Sequence, residues 1–475
     1  MMRLLKPDIC VIGGGSAGLS VAAGAAQLGA ETVLIEAGEM GGDCLNYGCV
    51  PSKALLAAAK AATQHRHAAD FGIHFSAPRI DLARVEAHIR DVIAAIAPHD
   101  SVERFEGLGV TVLRSWAKFI DERTMEAGDA RIQARRFVLA TGSSAFIPPI
   151  AGLDQVPYLT NETVFGHVPA IRDLIVLGGG PIGVELAQGF ARLGAKVQLV
   201  EMARLLPRDD AQAVELVRAS LLRDGIVLHE GSAATEAQRR GDRVRLAIRG
   251  ANGGTQWLDA GHLLVAVGRK PRVENMGLEQ AGIAATPKGI QVDDGLRTTN
   301  RRVYAIGDCN GGPAFTHVAG HQAGLVIRSA LFRLPARFDA RALPWVTYSD
   351  PELAQIGLTE EAARRAHSDV VVTYQPAAGN DRARTERYAD GFLKIISDRR
   401  GHVLGVTIVG VQAGELLAPW SLAMARNLKL SAVAGPMLPY PTLSELGKRA
   451  AGQFYAARLF SPATRRLVRV LRWFG

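Results

Sequence analysis

Two cysteines, Cys44 and Cys49, stand five positions apart in GGDCLNYGCVPSKALL (residues 41–56), in a chain that has only four cysteines. As a staple the pair offers little, because a ring this short restricts the unfolded chain by only about 2 kcal/mol. A chain of 475 residues can bury a large core without such help. Residues i and i+5 of a regular helix hold their Cα atoms roughly 8–9 Å apart, beyond disulfide reach. A bond between these sulfurs therefore requires irregular backbone, which Asn46 and Gly48 permit. Pro51 suits a helix start, with good helix formers following from Ala54. Cys49 then lies near a helix N-terminus, where the macrodipole favours a thiolate. A short ring with one thiolate-favouring member is a redox pair.

The elements around that pair repeat. DICVIGGGSAGLSVAAGAAQLGAETVLIE (8–36) reads as an apolar strand, a glycine turn, a helix and a second strand ending in an acid. Its glycines are Gly13, Gly15 and Gly18, and its acid is Glu36. They match a tight turn, close backbone approach to a pyrophosphate, helix–strand packing and a carboxylate for ribose hydroxyls. DLIVLGGGPIGVELAQGFARLGAKVQLVE (173–201) repeats the unit with Gly178, Gly180, Gly183 and Glu201, and in both copies the acid follows the first glycine by 23 residues. One such turn is a weak signal, whereas the whole unit occurring twice is a strong one. Two dinucleotide sites in one chain imply a flavin and a nicotinamide. VLATGSS (138–144) and LLVAVGRKP (263–271) read as later strands of the two folds, each ending in a glycine turn near a ligand. The expected fold class is α/β, with two Rossmann-like dinucleotide-binding domains, for FAD and NAD.

Composition removes other classes. Hydrophobic content of 48%, charged content of 21% and 51 glycines exclude a disordered chain and fit a loop-rich enzyme. No apolar run reaches membrane-spanning length, and the run from Ile9 breaks at Gly13–Gly15 too early for a signal peptide. Sparse cysteine points to a reducing, cytoplasmic compartment. The net charge of +9 is local, since residues 446–475 hold seven Lys/Arg and no acid, leaving +2 for the other 445 residues. No nucleic-acid motif accompanies it. Cys10, inside the first apolar strand, reads as core. His65 and His67 face different ways on an apparent helix and read as solvated, so no metal site is expected.

On these motifs the chain resembles the flavin-dependent pyridine nucleotide–disulfide oxidoreductases, the family of dihydrolipoamide dehydrogenase, glutathione reductase and mercuric reductase. The resemblance runs from Ile9 to about Gly452 through GGGSAG, CLNYGCVPSK, ATG, GGGPIGVE, VGRKP, VYAIGDC (303–309) and WVTYSDPELAQIGLTE (345–360). It implies FAD held by Gly13, Gly15, Gly18, Glu36, Thr141 and Gly142, with Asp308 on the ribityl chain and His317 nearby. Lys53 would sit beside the flavin N5, paired with Glu185. NAD would lie on Gly178, Gly180, Gly183, Glu201 and Gly268. Cys309 has no partner in the pattern and reads as packing. The implied domains are 1–150 for FAD and the redox pair, 151–275 for NAD, 276–340 returning to the FAD domain, and 341–460 as an α+β domain that pairs two chains into a homodimer. Residues 461–475 form a basic amphipathic tail, with Leu467, Val470, Leu471 and Phe474 at i, i+3, i+4 and i+7. That tail suits either a weak membrane-surface or protein contact, or packing on the dimer domain.

Four positions bear on the acceptor. Pro51–Ser52–Lys53 is similar to the dehydrogenase and mercuric reductase form. Glu201, with no immediate basic pair after it, favours the 2′-hydroxyl of NADH over the 2′-phosphate of NADPH, with Arg204 as the one nearby cation. Disulfide-reducing members carry His-Pro-Thr with a Glu five residues after the His. Here Tyr440 holds the His position and Glu445 remains, as in mercuric reductase. A phenol with an ordinary pKa of about 10 is a poor base at neutral pH, although proton transfer through water could allow thiol exchange. Finally, the vicinal cysteine pair that ends mercuric reductases is absent from the sequence. The leading expectation is NADH-dependent reduction, through FAD and the Cys44–Cys49 disulfide, of a thiophilic metal ion or another small acceptor. Cys49 would be the thiolate against the flavin and Cys44 the thiol meeting the acceptor. Two alternatives share the residues: dihydrolipoamide dehydrogenase acting on a lipoyl carrier, and a flavoprotein redox sensor or partner-bound scaffold.

Overall fold

The structure, a computed structural model, describes residues 2–250 and 253–474; Met1, Gly475 and the Arg458 side chain of the basic tail lie outside the described residues. The chain divides into two compact units, one of residues 1–65, 76–202 and 228–339, the other of 66–75, 203–227 and 340–475.

The first unit contains both repeats as parallel sheets. In the first, strand order is Val303–Ala305, Arg136–Leu139, Ile9–Ile12, Thr32–Ile35, Val110–Leu113. All four residues of Ile9–Ile12 are buried, because helices and a second layer cover both faces. Ile9 and Val11 join Leu34, Val138 and Tyr304 on one side, while Cys10 and Ile12 join Val33, Ile35, Phe137 and Leu139 on the other. Cys309 is buried in the latter core, as packing requires. In the second repeat the order is Val227–Glu230, Lys196–Glu201, Asp173–Leu177, His262–Val265. An antiparallel meander of Ala233–Arg240, Arg243–Arg249 and Thr255–Ala260 adds to it. In each sheet the chain leaves the opening strand toward one side and later fills the other. The carboxyl ends of Ile9–Ile12 and Asp173–Leu177 are therefore the switch points where a doubly wound sheet binds ligands.

The second unit is built on a five-stranded antiparallel sheet, ordered Pro344–Thr347, Glu352–Gly357, Val403–Gly410, Phe392–Asp398, Val370–Pro376. Trp420, Leu446, Ala450 and Phe454 from its helices fill the core against that sheet. Residues 203–227 belong here too. Their helix, Ala211–Arg223, is capped by Asp210, whose carboxylate also receives the buried Lys394 ammonium at 2.9 Å. The helix starts only at Ala211, because Asp210 supplies its N-cap by accepting the Gln212 and Ala213 N–H groups, and the RLLP segment (204–207) precedes it. Arg204 instead donates to the carbonyls of Pro207 and Asp209, both at 3.1 Å. His67 is not simply solvated either: its ring stacks on Tyr388 at 4.4 Å, a shelter that pairing with a residue so distant in sequence creates. No helix among the described residues is long and apolar enough to cross a membrane.

Candidate functional site

The two glycine turns divide their labour in the same way. Gly13 has φ +110°, and a Cβ there would lie 2.2 Å from the Ala140 carbonyl oxygen. Gly178, at φ +113°, meets the Ala266 oxygen at 2.4 Å. Gly18 and Gly183 are pressed against the Gly13 and Gly178 carbonyls, at 1.8 and 1.9 Å from an added Cβ. The chain's own packing thus accounts for the first and third glycine of each turn. It does not account for the middle ones. A Cβ on Gly15 would meet nothing nearer than the Gly42 Cα at 3.8 Å, and one on Gly180 would meet nothing within 4 Å. Both lie at the N-cap of a helix, Ser16–Gln27 or Pro181–Arg192, that has no acid in its first turn. Open backbone at a positive helix end fits a pyrophosphate, so FAD and NAD(P) suit these residues. The acids sit over the same turns: Glu36 accepts the Gly14 and Gly38 N–H groups at 2.5 Å each, and Glu201 accepts that of Gly179 at 2.7 Å.

The cysteines are mounted on the first turn. Gly41 donates to the Gly14 carbonyl at 2.9 Å, and a Cβ on Gly42 would lie 2.7 Å from the Gly15 Cα. From this contact a short helix, Gly42–Asn46, carries Cys44; Tyr47 and Gly48 break it, and a second helix, Cys49–Ala69, begins at Cys49 itself. That start precedes Pro51 by two residues, so Pro51 occupies the first turn, where its missing N–H is harmless. A hydrogen bond from Cys44 holds the Cys49 thiol down to about 6, aided by Thr316, whose Oγ1 lies 3.6 Å from Sγ, and by the Lys53 charge. The same bond, with burial, pushes the Cys44 thiol up. One sulfur is thus poised as thiolate and the other as its proton-bearing partner.

Lys53, one turn beyond Cys49, places Nζ 2.6 Å from Oε2 of the buried Glu185, which lies on the Pro181–Arg192 helix. Thr141 Oγ1 donates to the Arg272 carbonyl at 2.7 Å, next to Gly142. Gly268 precedes the strand Arg269–Pro271, which pairs with Ser143–Ala145 and so joins the two glycine-turn folds. Asp308 accepts from Ser143 Oγ at 2.5 Å. His317 is exposed, stacked on Phe315 at 5.2 Å beside Thr316.

Reasoning from sequence missed Arg269. Its guanidinium lies 3.1 Å from Asp43, donates to Ser143 Oγ at 2.7 Å, and is 3.8 Å from Asp308. Asn161 holds the same Asp43 oxygen at 3.0 Å. The signal was available, since Asp43 and Arg269 are the charges inside GGDC and VGRKP, but only the folded chain pairs them.

In the second unit Tyr440 is 69% exposed, and its hydroxyl donates to Asp381 at 3.0 Å. That bond and the Asp381 charge push the phenol above its ordinary value. Arg449 lies 3.6 Å from the same carboxylate. Glu445 opens the helix Glu445–Leu459, and its Oε2 is buried with no hydrogen-bond partner among the described residues.

A sequence model described as pyridine nucleotide-disulphide oxidoreductase matches residues 7–323, and the dimerisation domain of the same group matches residues 343–451. The chain belongs to this family. Its members are enzymes that bind FAD and NAD(P), with a redox disulfide as the electron relay. A mercuric reductase of Bacillus cereus is 34% identical over 92% of this chain and 70% of its own length. A dihydrolipoyl dehydrogenase of Thermus scotoductus is 37% identical over 92% of this chain and 95% of its own. Among solved structures, the Cu(II) complex of the HOCl-induced flavoprotein disulfide reductase RclA of Escherichia coli superposes with a TM-score of 0.83 at 27% identity. The match covers 93% of this chain and 98% of that one. This flavoprotein disulfide oxidoreductase is thus of the mercuric reductase, lipoamide dehydrogenase and RclA type.

Proposed function

We propose that this oxidoreductase, as a homodimer, uses NADH to reduce a thiophilic metal ion, with Cu(II) first and Hg(II) second among candidates. The observation that carries the reading is Tyr440: a proton shuttle for disulfide exchange is absent, and the phenol that replaces it is tied to Asp381. Similarity to an RclA structure that holds Cu(II), and to mercuric reductases, supports a metal acceptor. In this reading Gly13, Gly15, Gly18, Glu36, Thr141, Gly142 and Asp308 hold FAD, and Gly178, Gly180, Gly183, Glu201 and Gly268 hold NADH. FAD, when bound, would relay the two electrons of a hydride from NADH to the sulfurs. Overall, NADH, a proton and the Cys44–Cys49 disulfide give NAD⁺ and the dithiol. The dithiol then binds Cu(II) as thiolates; two Cu(II) become two Cu(I), the disulfide re-forms, and two protons leave. Lys53 keeps a positive charge near Cys49, and Glu185 holds that charge in place. Glu201 selects the 2′-hydroxyl of NADH over a 2′-phosphate, while Arg204 spends its donors on its own loop.

Thiolates bind soft ions without a proton donor, whereas a leaving thiol requires one. An anaerobic acceptor screen tests the reading. Cu(II) should sustain NADH oxidation with two Cu(I) trapped per NADH, and Cys44→Ser should abolish it. Lipoamide supporting faster turnover than either metal ion would replace this reading with the lipoyl-carrier one, which the 37% identity to a dihydrolipoyl dehydrogenase favours.

A further inference from the structure

The last helix, Pro462–Leu471, is capped by Ser461 and starts on a proline, so its N-terminus is well specified locally. It buries none of its residues. Trp473 and Phe474 continue it as a turn, their N–H groups bonded to the Val470 and Leu471 carbonyls at 3.0 Å each. Leu467 is 57% exposed, Val470 57%, Leu471 53% and Phe474 83%. At about 100° per residue these four side chains fall within an arc of roughly 100°. Arg465, Arg466, Arg469 and Arg472 occupy an opposing arc of about 120°, with Trp473 among them.

Charge decides what covers this face. Residues 446–475 carry seven cations and no acid, and the other 445 residues sum to +2, so a second copy of the chain brings no excess of acid to meet it. The complementary surface is anionic and comes from outside. It must also accept an apolar stripe edged by an aromatic ring and guanidinium groups, the arrangement of a helix lying in a lipid interface.

We propose that this helix docks on an anionic lipid surface, with Leu467, Val470, Leu471 and Phe474 at the acyl boundary and the four arginines among the headgroups. One such helix gives reversible attachment. Attachment through this helix does not depend on which acceptor the enzyme reduces.

Co-sedimentation of the full-length protein with phosphatidylcholine vesicles, with and without phosphatidylglycerol, tests it. Binding should require phosphatidylglycerol and weaken with salt, and Arg469→Gln and Arg472→Gln should each lower the partition coefficient about five-fold. Leu471→Glu should remove most of the binding while NADH oxidation stays unchanged. No binding to phosphatidylglycerol vesicles, or binding that survives deletion of residues 461–475, overturns the proposal. So does a drop in oligomeric state on that deletion without lipid, measured by sedimentation velocity, because the occupant would then be a second copy.

Discussion

Replacing Cys44 by Ala removes the hydrogen bond that does most to hold the Cys49 thiol near 6. The Cys49 pKa should then return toward the ordinary value of about 8.5. At pH 6 the thiolate fraction falls from about one half to roughly 0.3%, a loss on the order of 150-fold. Nucleophilicity runs the other way: with a Brønsted slope of about 0.4–0.5, a thiolate more basic by about 2.5 units reacts roughly 10- to 20-fold faster. The net expectation is alkylation of Cys49 about ten-fold slower than wild type at pH 6. Above pH 9, where both proteins are largely ionised, the variant should be faster by roughly ten-fold. A crossing of the two profiles is therefore the signature, and a single reading at neutral pH would miss it. Iodoacetamide labelling of the pre-reduced protein, with Cys49 followed by peptide mass spectrometry across pH 5 to pH 10, measures both arms. A variant that keeps its inflection near pH 6 would refute the assignment to Cys44 and shift the cause to Thr316, Lys53 and the helix N-terminus.

Three further outcomes follow from the geometry. Asp209 is buried and accepts from Trp345 Nε1 at 2.7 Å, and burial raises its carboxyl to about 6. A raised acid contributes stability that is present below its unfolded pKa and lost as pH rises through the folded one, so Asp209→Asn should raise the unfolding temperature at pH 8 and not at pH 4; at most about 2–3 kcal/mol is at stake. Gly180→Ala should fold normally but raise KM for NADH, whereas Gly183→Ala, driven into the Gly178 carbonyl, should lower thermal stability. Arg269→Gln removes the cation that lies beside both Asp43 and Asp308, and should lower the FAD retained per chain on gel filtration, with Arg269→Lys recovering part of it.

Features encoded within one stretch of chain were legible before folding. The glycine turns are local: Gly13 and Gly18 meet within one strand–helix unit, and a repeat of that unit marks the second site. The break between Cys44 and Cys49 is also local: Gly48 lies in it as expected, together with Tyr47, whereas Asn46 is still the last residue of the first helix. Long-range partners were not legible. Arg269 finds Asp43 across 226 positions, Tyr440 finds Asp381 across 59, and His67 finds Tyr388 only through the second unit. The role of Gly42 is of the same kind, because only the folded chain brings it against Gly15. Segment 203–227 looked like a continuation of the second glycine-turn fold, but its helix packs with the antiparallel sheet through Asp210 and Lys394.

Tyr440 in place of an imidazole is what sets a metal ion above a disulfide as acceptor, and lipoamide turnover tests this most directly. Under anaerobic conditions, wild type should reduce lipoamide far more slowly than NADH reduces the enzyme. Tyr440→His, which restores an imidazole five residues before Glu445, should raise lipoamide turnover at least ten-fold, the low end of what a positioned base supplies. A wild-type enzyme that already reduces lipoamide as fast as NADH reduces it would contradict the account.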